Sequence, residues 1–384
     1  IENHIKQQIR EELISENNIE KRDIKGYHGR EILELLQNAD DAYQKSINLN
    51  QKPASDLNIE ISYIKGRLII SNTGTFFDEE GIKAIVQGNN SPKKGKYIGN
   101  KGTGFRSILN WADEVRIYSG EFAVHFSKDI AQKIFEKIKD KQQIQKQLGK
   151  EPSLYIPMLA VPENIEHDRP KDRTTIEISI NSEKTKDDYS VEKQIDNLDL
   201  RILLFLPNVS KIAITTEHDN ISYERIISNS QKYGEISSMD IELRKVINNK
   251  IDCIEQFKLF RKIISNAIEE DNIKKDIQLA IAVPLNGNIN IKHIYSYFPL
   301  LDTDSPFNCI LHATYSLGDH RNTINYSETN KIIIKEQLNF LINIATIYIS
   351  NKDLNTAYRI LLPTNYNKYY SWNFSSTFSK FDLE

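Results

Sequence analysis

The sequence is poor in cysteine, methionine and tryptophan, with two of each among 384 residues. Cys253 and Cys309 are too few for a disulfide framework and stand in no metal-ligand spacing. That places the expected setting in a reducing, cytoplasmic compartment. Excess charge of one sign is also missing. Lys and Arg number 50 against 53 Asp and Glu, a formal net charge of −3. Bulk positive charge therefore does not drive the chain onto nucleic acid, and direct nucleic-acid binding is left to a local basic patch. The longest apolar runs, near residues 203–206 and 338–348, are too short or too interrupted to span a bilayer. No basic-then-apolar leader opens the chain, so no membrane partner is expected. Internal repeats and low-complexity tracts are absent as well. The sequence begins at Ile1 and ends at Glu384 without a stop signal, as expected for the N-terminal part of a longer protein with a further C-terminal module.

Hydrophobic residues make up 39% and charged residues 27%, an ordinary balance for a soluble globular chain long enough for two domains. Periodicity predicts a polar helix over residues 1–25 and a second helix over 30–42, with Ile32, Leu35, Leu36 and Ala39 as its apolar stripe. Strand-like runs follow over 57–64 and 67–71, joined by Lys65-Gly66. A Gly/Asn/Lys-rich region from 72 to 104 holds one short helix over 79–87. Residues 105–113 read as helix, 114–119 and 121–127 as strands, 128–150 as a charged helix and 174–180 as a strand. The polar run 181–189 is the expected domain boundary, placed between 185 and 186. Beyond it, 198–205, 255–267 and 331–348 read as helices. Residues 211–215, 221–226, 236–245, 278–284, 289–296 and 308–316 read as strands, so the chain is α+β throughout.

Three segments carry chemistry. In Glu34-Leu35-Leu36-Gln37-Asn38-Ala39-Asp40-Asp41-Ala42, residues Glu34, Asn38 and Asp41 fall at i, i+4 and i+7, one face of a helix. A carboxylate, an amide and a second carboxylate on one face could activate a water and ligate Mg²⁺ through oxygen; a polar face meeting solvent has the same pattern. In Leu68-Ile69-Ile70-Ser71-Asn72-Thr73-Gly74 a β-branched strand ends in polar residues and a glycine. In Ile98-Gly99-Asn100-Lys101-Gly102-Thr103-Gly104-Phe105-Arg106-Ser107, three glycines open a helix, and backbone N–H groups of such a loop can cradle phosphate. The loop is neither a Walker loop nor a dinucleotide fingerprint, since Gly-Lys-Ser/Thr is absent and no strand leads directly into it.

In this order and separation, the three segments resemble the asparagine box and two glycine boxes of the GHKL superfamily, the Bergerat-fold nucleotide binders that include gyrase B, ninety-kilodalton heat-shock chaperones, histidine kinases and MutL. The likeness covers residues 26–180, with Thr174 opening a strand where the family places its last nucleotide-contacting threonine. Gln37-Asn38-Ala39-Asp40-Asp41-Ala42 and Asn72 look like the sacsin-type branch, as do residues 203–209 and 305–313 with Arg321. The resemblance implies a Bergerat-fold ATPase domain, a mixed sheet with helices on one face, followed by a smaller α/β transducer-like domain.

The resemblance also assigns roles. Glu34 matches the general base and Asn38 the Mg²⁺ ligand, with Asp41 lining the adenine side of the helix and Asp40 on the surface. Asn72 stands where most relatives carry Asp and would accept a hydrogen bond from the adenine amino group. Gly74 would let the base approach the backbone, Phe76 replaces a family glycine, and Phe77 packs against the core or the adenine face. Gly99, Lys101, Gly102, Thr103, Gly104 and Phe105 make up the phosphate loop, Ser91, Lys93 and Lys94 fall in a lid, and Thr174 contacts adenine. Arg321 or Lys331 would reach the terminal phosphate from the second domain. The implied activity is a slow Mg²⁺-dependent ATPase, switching by lid closure, domain rearrangement or homodimerisation for a partner protein, as in microbial antiviral defence or quality control. An ATP sensor with little turnover and a MutL-like DNA-transaction ATPase are the alternatives.

Overall fold

A computed structural model describes residues 29–49, 57–87, 104–136, 157–159, 161–181, 183, 189–270, 273–286, 289–318 and 321–362. The helix expected over 1–25 and residues 137–150 of the charged helix lie outside the described residues. The fold is α+β, and the chain divides into two compact units. One comprises residues 1–198 with 208–222, the other residues 199–207 with 223–384.

The first unit is built from a clean alternation. In β1 (Leu57–Ile64), Leu57, Ile59 and Ile61 are buried while Asn58 and Glu60 face solvent. Lys65 and Gly66 both take positive φ, 50° and 69°, the two-residue turn that matches strand twist and returns the chain as β2 (Arg67–Asn72). Strands β3 (Ala112–Ser119), β4 (Phe122–Ser127), β5 (Glu163–Asn164) and β6 (Thr174–Ile180) pair antiparallel in the order β2-β6-β3-β4-β5. β7 (Val209–Thr216) comes from beyond the boundary expected at 185/186. It belongs to this unit because it pairs parallel with β1 from Leu57 to Tyr63.

Helix α1 (Glu31–Asn48) packs against β1 and a 3₁₀ turn, Gly104–Asn110. That turn replaces most of the helix expected over 105–113, and β3 has begun by Ala112. The remaining helices here are α2 (Glu79–Gln87), α3 (Lys128–Glu136) and α4 (Val191–Asp196). α4 anchors the start of α1: Gln194 accepts from the Ile32 N–H at 3.3 Å and donates to Glu31, whose other oxygen accepts from Asn110 at 2.8 Å.

In the second unit the strands run β13 (Phe298–Asp304), β12 (His293–Ser296), β14 (Ile310–Ala313), β11 (Ile273–Pro284), β10 (Lys250–Glu270), β9 (Ile236–Ile247) and β8 (Asn220–Tyr233). The helix expected over 255–267 is instead part of β10, paired with β9 on one side and β11 on the other. Phe257 and Leu259 are buried on one face and Phe260 on the other, and the register slips between Ile264 and Ile268. Two-sided burial and a bulge together erase the period of two, leaving a spacing that imitates a helix. The helix expected over 198–205 shortens to a 3₁₀ turn, Leu200–Leu204. Carbonyls of the turn and of the residues just after it are taken up by arginines: Arg225 donates to Leu203, Leu206 and Pro207 at 2.7–2.8 Å, and Arg261 to Leu204 at 2.9 Å.

Helix α5 (Glu328–Ser350) is capped by Ser327 and α6 (Leu354–Leu361) by Asp353. Ile333, Phe340 and Ile344 of α5 share a core with Phe260, Leu279 and Ile281. Among the described residues α5 alone is long and apolar enough to cross a membrane by length and composition. Its buried side chains in this core are what a core helix of a soluble protein shows as well.

Candidate functional site

Strand register sets the site. Across β2, β6 and β3, one face reads Leu68–Ile178–Val115, then Ile70–Ile176–Ile117, then Asn72–Thr174–Ser119. The first two rows are apolar and buried, and the third is polar yet equally inaccessible, at 7%, 5% and 2% exposure. Thr174 and Ser119 share a hydrogen bond at 2.7 Å, and Ser119 also accepts from the Phe77 N–H at 3.0 Å. Asn72 donates its amide nitrogen to the Thr73 carbonyl at 2.9 Å, which presents its amide oxygen as the acceptor. Ser119 thereby joins Thr174 to Phe77, and Asn72 lies beside Thr174 across the β2–β6 pair. Phe77 is half-buried with its ring beside Gly81.

The loop after β2 is fastened to α1. Gly74 has φ +137°, and a Cβ there would lie 2.9 Å from the Tyr43 backbone nitrogen and 3.0 Å from the Ala42 carbonyl carbon. The Thr75 N–H donates to the Ala42 carbonyl at 3.0 Å. The close approach that requires glycine is thus to helix α1. On either side of Gly74, the hydroxyls of Thr73 and Thr75 are buried without a hydrogen-bond partner.

Along α1, Glu34 and Asp41 are buried, at 3% and 2% exposure, and Asn38 is half-buried. At the head of the 3₁₀ turn, a Cβ on Gly104 would lie 2.1 Å from Glu34 Oε2, so a side chain there would displace that carboxylate. Phe105 beside it is buried. Asp40, expected on the surface, is 1% exposed. It accepts from the Asn208 backbone N–H at 3.0 Å and the Asn208 amide at 3.2 Å, tying the helix to the approach to β7.

Ser91, Lys93, Lys94, Gly99, Lys101, Gly102 and Thr103 lie outside the described residues. Arg321 belongs to the second unit, where it has φ 53° and its N–H donates to the Gly318 carbonyl at 2.9 Å. Lys331, also there, pairs with Glu328 at 2.9 Å and lies over the Tyr326 ring.

No family model matches the sequence. A stretch of 105 residues is 36% identical to Protein NO VEIN of Arabidopsis thaliana. It covers 26% of this chain but 3% of that protein, so the chain spans a small fraction of that relative's length.

Ser119 and the unpartnered pair Thr73 and Thr75 were not singled out by sequence reasoning. Ser119 carries no motif, and its place follows only from the register of β3 on β6. The two threonines did carry a signal, a polar cluster around a glycine at a strand end. Among the described residues, no group of three or more His, Cys, Asp and Glu is arranged to hold a metal ion. A site built on the Asn38 amide would not depend on one.

Proposed function

We propose that the first unit binds ATP in a Bergerat-type pocket and hydrolyses it with Mg²⁺. The observation that carries the reading is the buried polar row Asn72–Thr174–Ser119 ending an otherwise apolar sheet face. The groups of this row bond one another and the nearby backbone, and they offer a ligand polar contacts that a further apolar row would not. The hydroxyls of Thr73 and Thr75, buried without a partner, are the groups that call for one. An adenine ring, flat and edged with donors and acceptors, suits such a row; Asn72 would accept from its amino group and Thr174 would bond a ring nitrogen.

Glu34 is the general base of this reading. Its burial and the fit of Gly104 against its oxygen hold the carboxylate in one place, which suits a group that orients a water. Asn38, on the same helix face and half-buried, would hold Mg²⁺, which when bound supplies charge neutralisation on the phosphates. Asp41 lines the adenine side, and Ser91, Lys93, Lys94 and the glycine loop would enclose the phosphates. Homodimerisation or a partner protein would read the nucleotide state.

The test is phosphate release from Mg²⁺·ATP across a range of protein concentrations, in wild type, Glu34→Gln and Thr174→Val. Loss of a general base should cut turnover by about a hundredfold or more while ATP still raises the melting temperature. Removing the Thr174 hydroxyl should weaken ATP binding by about 1 kcal/mol. Unchanged turnover in Glu34→Gln would sink the base assignment. An unchanged ATP-induced shift in Thr174→Val would sink the adenine row. ATP binding with no turnover even in wild type would make the unit a nucleotide sensor.

A further inference from the structure

The opposite face of β2, β6 and β3 has different chemistry. There the register aligns Ile69–Glu177–Arg116 and Ser71–Thr175–Tyr118. Glu177 is 3% exposed and lies under three guanidinium groups: Arg67 at 3.1 Å, Arg116 at 3.7 Å and Arg169 at 2.7 Å. Arg116 also pairs with Glu114 at 2.8 Å, and Arg169 lies over the Tyr118 ring. The three arginines, Tyr118 and Glu177 line an open cavity of about 620 Å³, the size of a small-molecule site. His167, also on its wall, packs against Tyr118 with ring centroids 5.4 Å apart, and both its ring nitrogens are buried without a partner.

Three guanidiniums against Glu177 and Glu114 leave one positive charge and several N–H donors over at the heads, with the acids Glu166 and Asp168 farther out on the wall. Each guanidinium has five donors in a fixed fork, and the pairing with Glu177 engages one nitrogen of Arg67 and one of Arg169. Glu177 fixes the three heads from below, so their remaining donors are ordered before any ligand arrives. The exposed carboxylates of Glu166 and Asp168 also line the cavity. They disfavour a molecule that is anionic throughout and favour one whose far end donates hydrogen bonds.

We propose that this cavity is a second ligand site, taking a small phosphate ester with a hydroxyl-bearing body. Arg67, Arg116 and Arg169 recognise the phosphate, and the two outer carboxylates engage the hydroxyls. The site uses none of the residues assigned to ATP and stands whether or not the nucleotide reading holds.

The test is calorimetric titration of the full chain with ribose 5-phosphate, inorganic phosphate and ribose at matched ionic strength. Binding should follow the order ribose 5-phosphate, then inorganic phosphate, then ribose. Arg169→Gln and Arg67→Gln should each weaken ribose 5-phosphate binding by about tenfold or more, the loss expected for a charge-assisted pair. Arg67→Gln serves as the second variant because that side chain is 58% exposed against 36% for Arg169, so less packing is lost with it. The proposal is overturned if wild type shows no saturable binding of ribose 5-phosphate up to about 10 mM, an affinity below about 3 kcal/mol. It is equally overturned if ribose binds as well as its phosphate, or if both arginine variants bind like wild type.

Discussion

His312 offers a prediction whose size follows from its surroundings. It lies on β14, 4% exposed, stacked on Phe205 with ring centroids 4.6 Å apart and edge-on to Tyr297 at 4.9 Å. Neither ring nitrogen has a hydrogen-bond partner. Burial, reinforced by the charge of Arg261, pushes its pKa from 6.5 down to about 3. The folded state therefore binds fewer protons than the unfolded state between those values, and stability rises with pH across that window. His312's contribution is complete above about pH 6.5 and is lost as pH falls towards about 3. Going from about pH 7.5 to about pH 5, an unfolded histidine gains its proton while His312 stays neutral, a cost of about 2 kcal/mol. A folded value anywhere below about 4 gives the same cost, because the unfolded chain sets it. His312→Phe keeps the stack and removes the titration. Equilibrium urea unfolding followed by circular dichroism at both pH values should show wild type losing about 2 kcal/mol more than the variant. Parallel losses in the two proteins would refute the account.

Two further predictions concern the first unit. Gly104→Ala places a Cβ 2.1 Å from Glu34 Oε2, the mobile end of that side chain; displacing it should cost about 1 kcal/mol, read as a slightly lower melting temperature, and, on the proposal that Glu34 is the base of an ATPase, about a hundredfold in phosphate release. A variant with wild-type melting temperature and turnover would show that the contact does not constrain Glu34. Asn208→Ala removes the amide that bonds buried Asp40 at 3.2 Å and should lower stability by about 1–3 kcal/mol in urea titrations; an unchanged midpoint would show that Asp40 is satisfied without it.

What was legible in the sequence was local. The hairpin of β1 and β2 declares itself because apolar and polar residues alternate along the start of β1 and a β-branched run follows Lys65-Gly66, and β6 and α2 begin and end where periodicity puts them. What was hidden depends on partners far along the chain. Asp40 reads as a surface acid until Asn208, 168 residues on, supplies its hydrogen bonds. β7 joins the first unit only through parallel pairing with β1, which no local pattern announces. β10 loses its alternation because strands flank it on both sides and both its faces carry buried aromatic residues. For the proposed site, Glu34, Asn72, Gly74 and Thr174 stand at positions that the family resemblance marks. The neighbour that joins Thr174 to Phe77 is a serine whose role exists only in the register.

The two faces of β6 pose different problems. Thr174 ends an apolar face, whereas Thr175 and Glu177 point to the charged one. Stability alone does not account for Glu177, since desolvating a carboxylate and its arginine partners offsets most of their attraction and a packed apolar side chain would serve as well. The cluster does achieve order: it holds flexible arginine heads in place over a cavity instead of letting them extend into solvent. Fixed donors over an open volume reduce the entropic cost of binding, which is how a recognition site differs from a core ion pair. The Asn72–Thr174–Ser119 row follows the same logic on the other face, with hydroxyls and an amide in place of charges. Three adjacent strands thus carry polar groups buried beyond the needs of packing on both faces, at positions one residue apart in β6.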